Sequence, residues 1–206
     1  MRDQTIEAFL TDLAARTAAP GGGAAAALQA AQAAALLAMV ARYSDGPRHA
    51  DDASAIGMVL GEADRLRETC TDLIAADAAA FGAVAAAYRL PRDTSEQAAE
   101  RSAAIAAALA GAAEPPASVI EAGGRLVKLA EVLLPVGNRN VVADIAAAAE
   151  AVRAAVAIAR LNVEVNLAGM TDIAARARLT EVIAAVDGLE ARTAQLSAAV
   201  RAELSR

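Results

Sequence analysis

Cysteine, histidine and lysine each occur once in these 206 residues, as Cys70, His49 and Lys128, and tryptophan is absent. A single cysteine excludes an internal disulfide and every CxxC metal motif. A single histidine excludes His-cluster metal sites and weakens any Ser-His-Asp arrangement. No metal ligand set is therefore expected. The chain carries a net charge of -6 and only 2% aromatic residues. With no basic, aromatic-interleaved patch, nucleic acid is excluded as a partner. Met1-Arg2-Asp3-Gln4-Thr5 lacks the charged-then-apolar order of a signal peptide. Ala24–Ala41 has the length of a membrane span, but Gln29 and Gln32 interrupt it and alanine inserts poorly. The expectation is a cytoplasmic protein without a membrane partner.

What the chain has in excess is alanine, about 30% of its positions. Alanine is the strongest helix former, and small side chains let helices pack closely. Helical spacing recurs throughout and no strand-like alternation interrupts it. Helices are predicted from about Gln4 to Arg16, from the glycines at 21–23 to Tyr43, and from Ala50 to Tyr88. Ser44-Asp45-Gly46-Pro47 is a break, and Pro91 closes the third helix. Thr94 or Ser95 can cap the next helix, with Gln97 or Glu100 placed to help. Gly111 to Pro116 reads as punctuation, with Pro115 suited to a first helical turn. The segment to Leu134 is then helical, and Pro135-Val136-Gly137-Asn138 reads as a loop. Two further helices are predicted, Asn140–Ala168 and Thr171–Ser205. On the last of these, Arg176, Glu181, Glu190 and Arg201 read as a solvated face. The whole is an all-α, multi-helix bundle of long antiparallel helices, one domain over residues 1–206.

Ala19-Pro20-Gly21-Gly22-Gly23 leads straight into the alanine-rich second helix. Pro20 ends whatever precedes it, and glycine permits backbone angles barred to other residues. A helix N-terminus presents unpaired N–H groups, so this turn is expected to attract an electron-rich ligand. It matches no nucleotide-binding glycine pattern, and no strand precedes it.

Polar residues sit where apolar ones are expected. Asp77 shares a helical stripe with Leu73 and Phe81, and a carboxylate there needs a donor or a positive partner. A buried interhelical bond and a site residue are both open readings. Asp144, Asn162 and Asn166 line one side of another helix. Asp144 and Asn162 are five turns apart, about 27 Å, so one small pocket cannot hold both. They suit two ends of a long ligand, two symmetry-related pockets, or interhelical bonding. Asn138 and Asn140 open the same helix, where asparagine commonly caps. His49 reads as an exposed loop residue and Cys70 as core.

Together these residues resemble the cyclodeaminase and cyclohydrolase enzymes of folate one-carbon metabolism. The match rests on Ile6-x-x-Phe9-Leu10-x-x-Leu13-Ala14 leading to Pro20-Gly21-Gly22-Gly23, and on Asp77-x-x-Ala80-Phe81-x-x-Val84 ending in Leu90-Pro91. It continues through Leu129-Ala130-Glu131, Gly137-Asn138-x-Asn140-x-x-x-Asp144 and Asn162-Val163-x-Val165-Asn166. The chain departs from the family at Ala24, at Ala143, and at Gly46-Pro47-Arg48-His49-Ala50, where the family usually carries Gly-Lys-Lys-Lys-Tyr.

The resemblance implies an all-helical homodimer that binds a folate substrate beside the glycine loop, near the interface. It implies hydrolysis of 5,10-methenyltetrahydrofolate to the 10-formyl form, with no metal or organic cofactor. Asp144 or Asp77 would serve as acid and base, and Asn138 would orient water or substrate. Pro20, Gly21, Gly22, Gly23, Arg48, Asn140, Asn162 and Asn166 would contact substrate. Cyclodeamination of 5-formiminotetrahydrofolate with release of ammonia, and a dimer that binds a folate-like ligand without catalysis, remain alternatives.

Overall fold

The computed structural model describes residues 4–205, so Met1–Asp3 of the segment read for a targeting signal lie outside it. Among the described residues every regular element is helical. The seven α-helices are α1 (Ile6–Ala14), α2 (Gly22–Tyr43), α3 (Ala53–Tyr88), α4 (Ser95–Val136), α5 (Val142–Leu167), α6 (Ile173–Ala184) and α7 (Val186–Leu204). Short 3-10 turns at Pro47–Asp52 and Arg139–Val141 lead into α3 and α5.

α2 is the axis of the bundle, packed chiefly between α3 and α5 with α4 alongside. Ala24, Ala26, Ala27, Ala30, Ala33, Ala34, Ala38 and Ala41 are buried on it. Methyl side chains on nearly every side let three neighbours approach one helix. Larger residues complete the core from around it, including Leu66 on α3, Leu126 and Leu133 on α4, and Ile145 and Val156 on α5. α2, α4 and the segment through α3 are long and apolar enough to cross a bilayer by length and composition. In α2, 61% of that stretch is buried inside the protein, whereas only 22% is buried in the segment containing α3. The C-terminal half of α3 thus exposes an alanine-rich surface, including Ala75, Ala76, Ala79, Ala83 and Ala86.

Local chemistry explains most boundaries. Thr5 caps α1 by accepting from the Ala8 N–H. Thr94 and Gln97 form the expected capping box at the start of α4. Asp172 caps α6 by accepting from Ala174 and Ala175.

Two expectations are corrected. Gly111–Pro116 does not end a helix: α4 runs unbroken from Ser95 to Val136 and contains Pro115, Pro116 and Pro135. Burial of both Pro115 and Pro116 in the packed middle of the helix holds it together across the lost hydrogen bonds. Conversely, the predicted Thr171–Ser205 helix is two helices meeting at Ala185, whose N–H bonds to Val182 in a tightened turn. Neither glycine nor proline marks that bend. It lets α6 lie mainly over α4 while α7 lies mainly over α5. Arg176 is exposed, as expected of a solvated row, and also donates to the Leu167 and Met170 carbonyls, tying α6 to the end of α5.

Gly123 and Gly124 adjoin on α4 but meet different surroundings. A methyl at Gly123 would overlap Val156 Cγ1, whereas one at Gly124 would sit 3.7 Å from Leu189. Val156 is β-branched within a helix and has one strongly preferred rotamer, so it cannot turn aside cheaply. Gly123→Ala is therefore expected to destabilise by about 1–3 kcal/mol. Gly124→Ala is expected to gain up to about 1 kcal/mol from helix propensity. Urea unfolding of the two variants checks the contrast.

Candidate active site at the start of the central helix

The glycine turn does not work as the sequence suggests. Gly21, Gly22 and Gly23 adopt no positive φ; among the described residues that conformation occurs only at Gly46. What Gly23 provides is space. A Cβ there would lie 2.5 Å from Asp77 Cγ and 2.8 Å from Oδ2, inside van der Waals contact. Gly22 faces Asn162, whose Nδ2 would be 3.3 Å from an added Cβ. Gly21 has open space around it and caps α2 without a side-chain bond.

The carboxylate of Asp77 occupies the position expected for an electron-rich ligand. It reaches from α3 to the first turn of α2 and accepts the Ala24 backbone N–H. An otherwise uncapped helix N-terminus thereby gains an acceptor from a neighbouring helix. Burial raises the Asp77 pKa above the ordinary carboxylate value, and the Ala24 N–H opposes that rise.

Asn162 and Asn166 complete the wall from α5. Asn162 Nδ2 donates to the Ile158 carbonyl at 2.8 Å. Asn166 Nδ2 donates to the Asn162 carbonyl at 2.8 Å and to the Ala112 carbonyl of α4 at 3.2 Å. Pro116 accounts for the last bond. Proline has no N–H, so the carbonyl four residues earlier, Ala112, loses its helical donor. Asn166 replaces that donor across the interface. Both of its amide hydrogens are then used, and only its oxygen remains to face a ligand.

These groups surround a cavity of about 230 Å³ lined by Ala18, Gly21–Gly23, Asp77, Phe81, Ala112, Asn162 and Asn166. Pro20 flanks the lining residues without being one of them. The sequence reading places neither Pro116 nor Ala112 in the site, because a break at Gly111–Pro116 leaves no continuous helix to carry the orphaned carbonyl. The available signal was a proline in one helix facing an asparagine in another.

The other candidates gather at the opposite end of α2. Asn138 accepts from the Asn140 N–H through its side-chain oxygen at 3.0 Å and donates through Nδ2 to the Tyr43 carbonyl at 2.8 Å. Its backbone N–H donates to Ser44 Oγ, and Ser44, 1% exposed, donates to Val40. This side chain closes the loop between α4 and α5 onto α2. Asn140 and Arg48 are exposed there, and Asp144 is half-buried in the first turn of α5. His49, expected to be exposed, is half-buried, with Nδ1 3.0 Å from the Val136 carbonyl. A carbonyl only accepts, so Nδ1 carries the proton. The length of α2 separates this group from Asp77 by about 30 Å. Within one subunit the structure therefore brings together the glycines, Asp77, Asn162 and Asn166, but not Asp144, Asn138, Asn140 or Arg48. Cys70 is core as expected, and burial pushes its thiol up to about 11.

A helical bundle with a half-buried carboxylate and paired amides around a cavity at the head of its central helix offers a small-molecule site with one candidate acid–base group. The chain belongs to the formiminotransferase-cyclodeaminase family, whose pattern matches residues 5–185. It is 37% identical to the methenyltetrahydrofolate cyclohydrolase of Methylorubrum extorquens, over 95% of this chain and 93% of that one. It is 35% identical to the formimidoyltransferase-cyclodeaminase of Rattus norvegicus over 82% of this chain, which corresponds to 32% of that longer protein. Its fold matches the crystal structure of formiminotetrahydrofolate cyclodeaminase from Thermotoga maritima with a TM-score of 0.82 and 26% identity, covering 99% of this chain and 97% of that one.

The glycines give a direct test of the geometry. Gly23→Ala is expected to displace the Asp77 carboxyl and destabilise by about 1–3 kcal/mol, whereas Gly21→Ala is expected to be near neutral. Thermal melts of both variants, with a crystal structure of Gly23→Ala, check whether the carboxyl has moved.

Proposed function

We propose that this chain hydrolyses 5,10-methenyltetrahydrofolate to 10-formyltetrahydrofolate, with Asp77 as the acid–base group. The observation that carries the reading is the half-buried Asp77 carboxyl, raised in pKa and held at the cavity wall, in a chain matched over 95% of its length by a cyclohydrolase. The substrate carries an amidinium cation, which a neighbouring carboxylate stabilises. Asp77 takes a proton from water as its oxygen attacks the bridging carbon. It then returns that proton to N5 as the N5–carbon bond breaks, leaving the formyl group on N10. One further proton leaves to solvent as the cation becomes a neutral formamide. Charge and atoms balance without a metal or organic cofactor.

Asn162 and Asn166 are assigned to the heterocycle, together with the backbone of Gly21 to Gly23. A cavity of about 230 Å³ takes the reacting end of a folate and leaves its tail outside. Asp144, Asn138, Asn140, Pro20 and Arg48 are given no contact with the reacting atoms in the same subunit. We further propose a homodimer that uses the exposed, alanine-rich C-terminal half of α3; only 22% of the apolar stretch in the segment containing this helix is covered within one chain. Such pairing would also remove that surface from water, which suits a cytoplasmic protein working away from membranes.

A second reading is cyclodeamination of 5-formiminotetrahydrofolate, favoured by the match to the cyclodeaminase fold over nearly the full chain. Following methenyltetrahydrofolate loss spectrophotometrically, beside ammonia release from the formimino substrate, separates the two. Activity with neither would leave only a binding protein.

Asp77→Asn is expected to lower kcat by about 10²–10⁴-fold, the usual contribution of a positioned acid–base group. The same variant is expected to melt at a higher temperature at neutral pH. Because the folded pKa of Asp77 lies above its unfolded value, protonation favours the folded state. That contribution is fully present below the unfolded pKa and is lost as pH rises through the folded pKa. The stability advantage of Asp77→Asn should therefore shrink as pH falls below the raised pKa. Melts between pH 4 and 8, read with the kcat profile, check the sign.

A further inference from the structure

Phe81 is the aromatic member of the cavity wall, and its placement is unusual for this chain. The other phenylalanine, Phe9, is 7% exposed in the core, whereas Phe81 is 48% exposed. It follows Asp77 by one helical turn on α3, so ring and carboxyl stand on the same side of the helix. The remaining polar groups are predominantly acceptors. Asn166 has committed both amide hydrogens to the carbonyls of Ala112 and Asn162, and Asn162 has committed one to Ile158. A phenyl face, a carboxyl and two amide oxygens make an electron-rich wall, and of the α2 N-terminal N–H groups that offset it, that of Ala24 is engaged by Asp77. An aromatic face attracts a flat cation beyond what its area alone would give.

We propose that Phe81 is a positioning residue that stacks on the cationic ring of the substrate, making the site selective for charged over neutral folates. This rests on the methenyltetrahydrofolate reading and adds to it a basis for product release: hydrolysis converts the cation to a neutral formamide, and the attraction to the ring is lost at that step.

The test compares wild type with Phe81→Leu, Phe81→Tyr and Phe81→Trp, each first shown to fold by circular dichroism and melting temperature. Steady-state hydrolysis of 5,10-methenyltetrahydrofolate is measured beside equilibrium binding of neutral 5-formyltetrahydrofolate, which needs no turnover. Phe81→Leu is expected to raise KM about tenfold while kcat changes less than about twofold, with the tyrosine and tryptophan variants near wild type. Binding of the neutral folate should weaken by less than about threefold. An unchanged KM in Phe81→Leu, or equal weakening for cation and neutral ligand, overturns the proposal while leaving the hydrolase reading intact. If wild type proves inactive, binding of the cationic methenyl form is compared directly across the same variants. A Phe81-dependent preference for the cation then supports the proposal as the hydrolase reading fails, and no preference overturns it.

Discussion

The contact between the Asp77 carboxyl and the first turn of α2 is the constraint around which this protein is arranged. A carboxylate withdrawn from water is costly unless donors meet it. Here the donor is the Ala24 N–H, and the reach is possible because Gly23 has no side chain. Beyond that turn α2 continues in alanine, which lets α3 and α5 stay close enough to hold the carboxyl in place. The helix N-terminus and the acid serve each other: one gains a cap, the other a partial counter-charge. The residual effect of burial keeps the pKa raised, which an acid–base role requires and stability does not favour.

The same economy of unpaired groups shapes the far wall. Pro116 strips a donor from the middle of α4, and the orphaned Ala112 carbonyl would be a defect in an isolated helix. Asn166 meets it from α5 and in doing so fixes its own amide with the oxygen outward. A break in the hydrogen-bond ladder thus becomes the means by which a polar side chain is oriented in the site. At the other end of α2, Ser44 and Asn138 perform the equivalent closure, binding Val40, Tyr43 and the Asn140 N–H into one network. Asparagine at a helix start therefore marks a structural joint here, and asparagine within a helix marks the pocket.

Much of this was legible in the sequence, and the misses share a cause. Helical period, the Thr94–Gln97 box, the Gly46-Pro47 break and the burial of Cys70 depend on neighbours within a few residues, so they could be read locally. The class of the fold followed from them. The glycine turn was located correctly but given the wrong reason, since backbone freedom is local whereas the room required at Gly23 is set by a side chain 54 positions away. Gly111–Pro116 reads as a break with Pro115 opening a new helix, because a proline's local cost is visible and the compensation from another helix is not. The bend at Ala185 has no marker at all; it comes from which helices α6 and α7 cover. Asp144 and Asn162 were recognised as too far apart for one small pocket, and the structure places them at opposite ends of α5.

The geometry also bears on why hydrolysis and deamination can share one architecture. In the proposed hydrolysis the group needing a proton on departure is a ring nitrogen; in the deamination it is ammonia. Both demand an acid that holds its proton near neutral pH, yet yields it to a basic nitrogen and can take one back. A solvated aspartate is too acidic for that cycle, and a carboxyl fully stripped of donors would hold its proton too tightly. Partial burial raises the Asp77 carboxyl above the solvated value, and the backbone N–H of Ala24 still favours its charged form. Within such a site, the difference between the two reactions rests with which nitrogen is brought to Asp77. That is a question of how the heterocycle is seated, so the residues that fix its plane and orientation, Phe81, Asn162 and Asn166, are where specificity would be set.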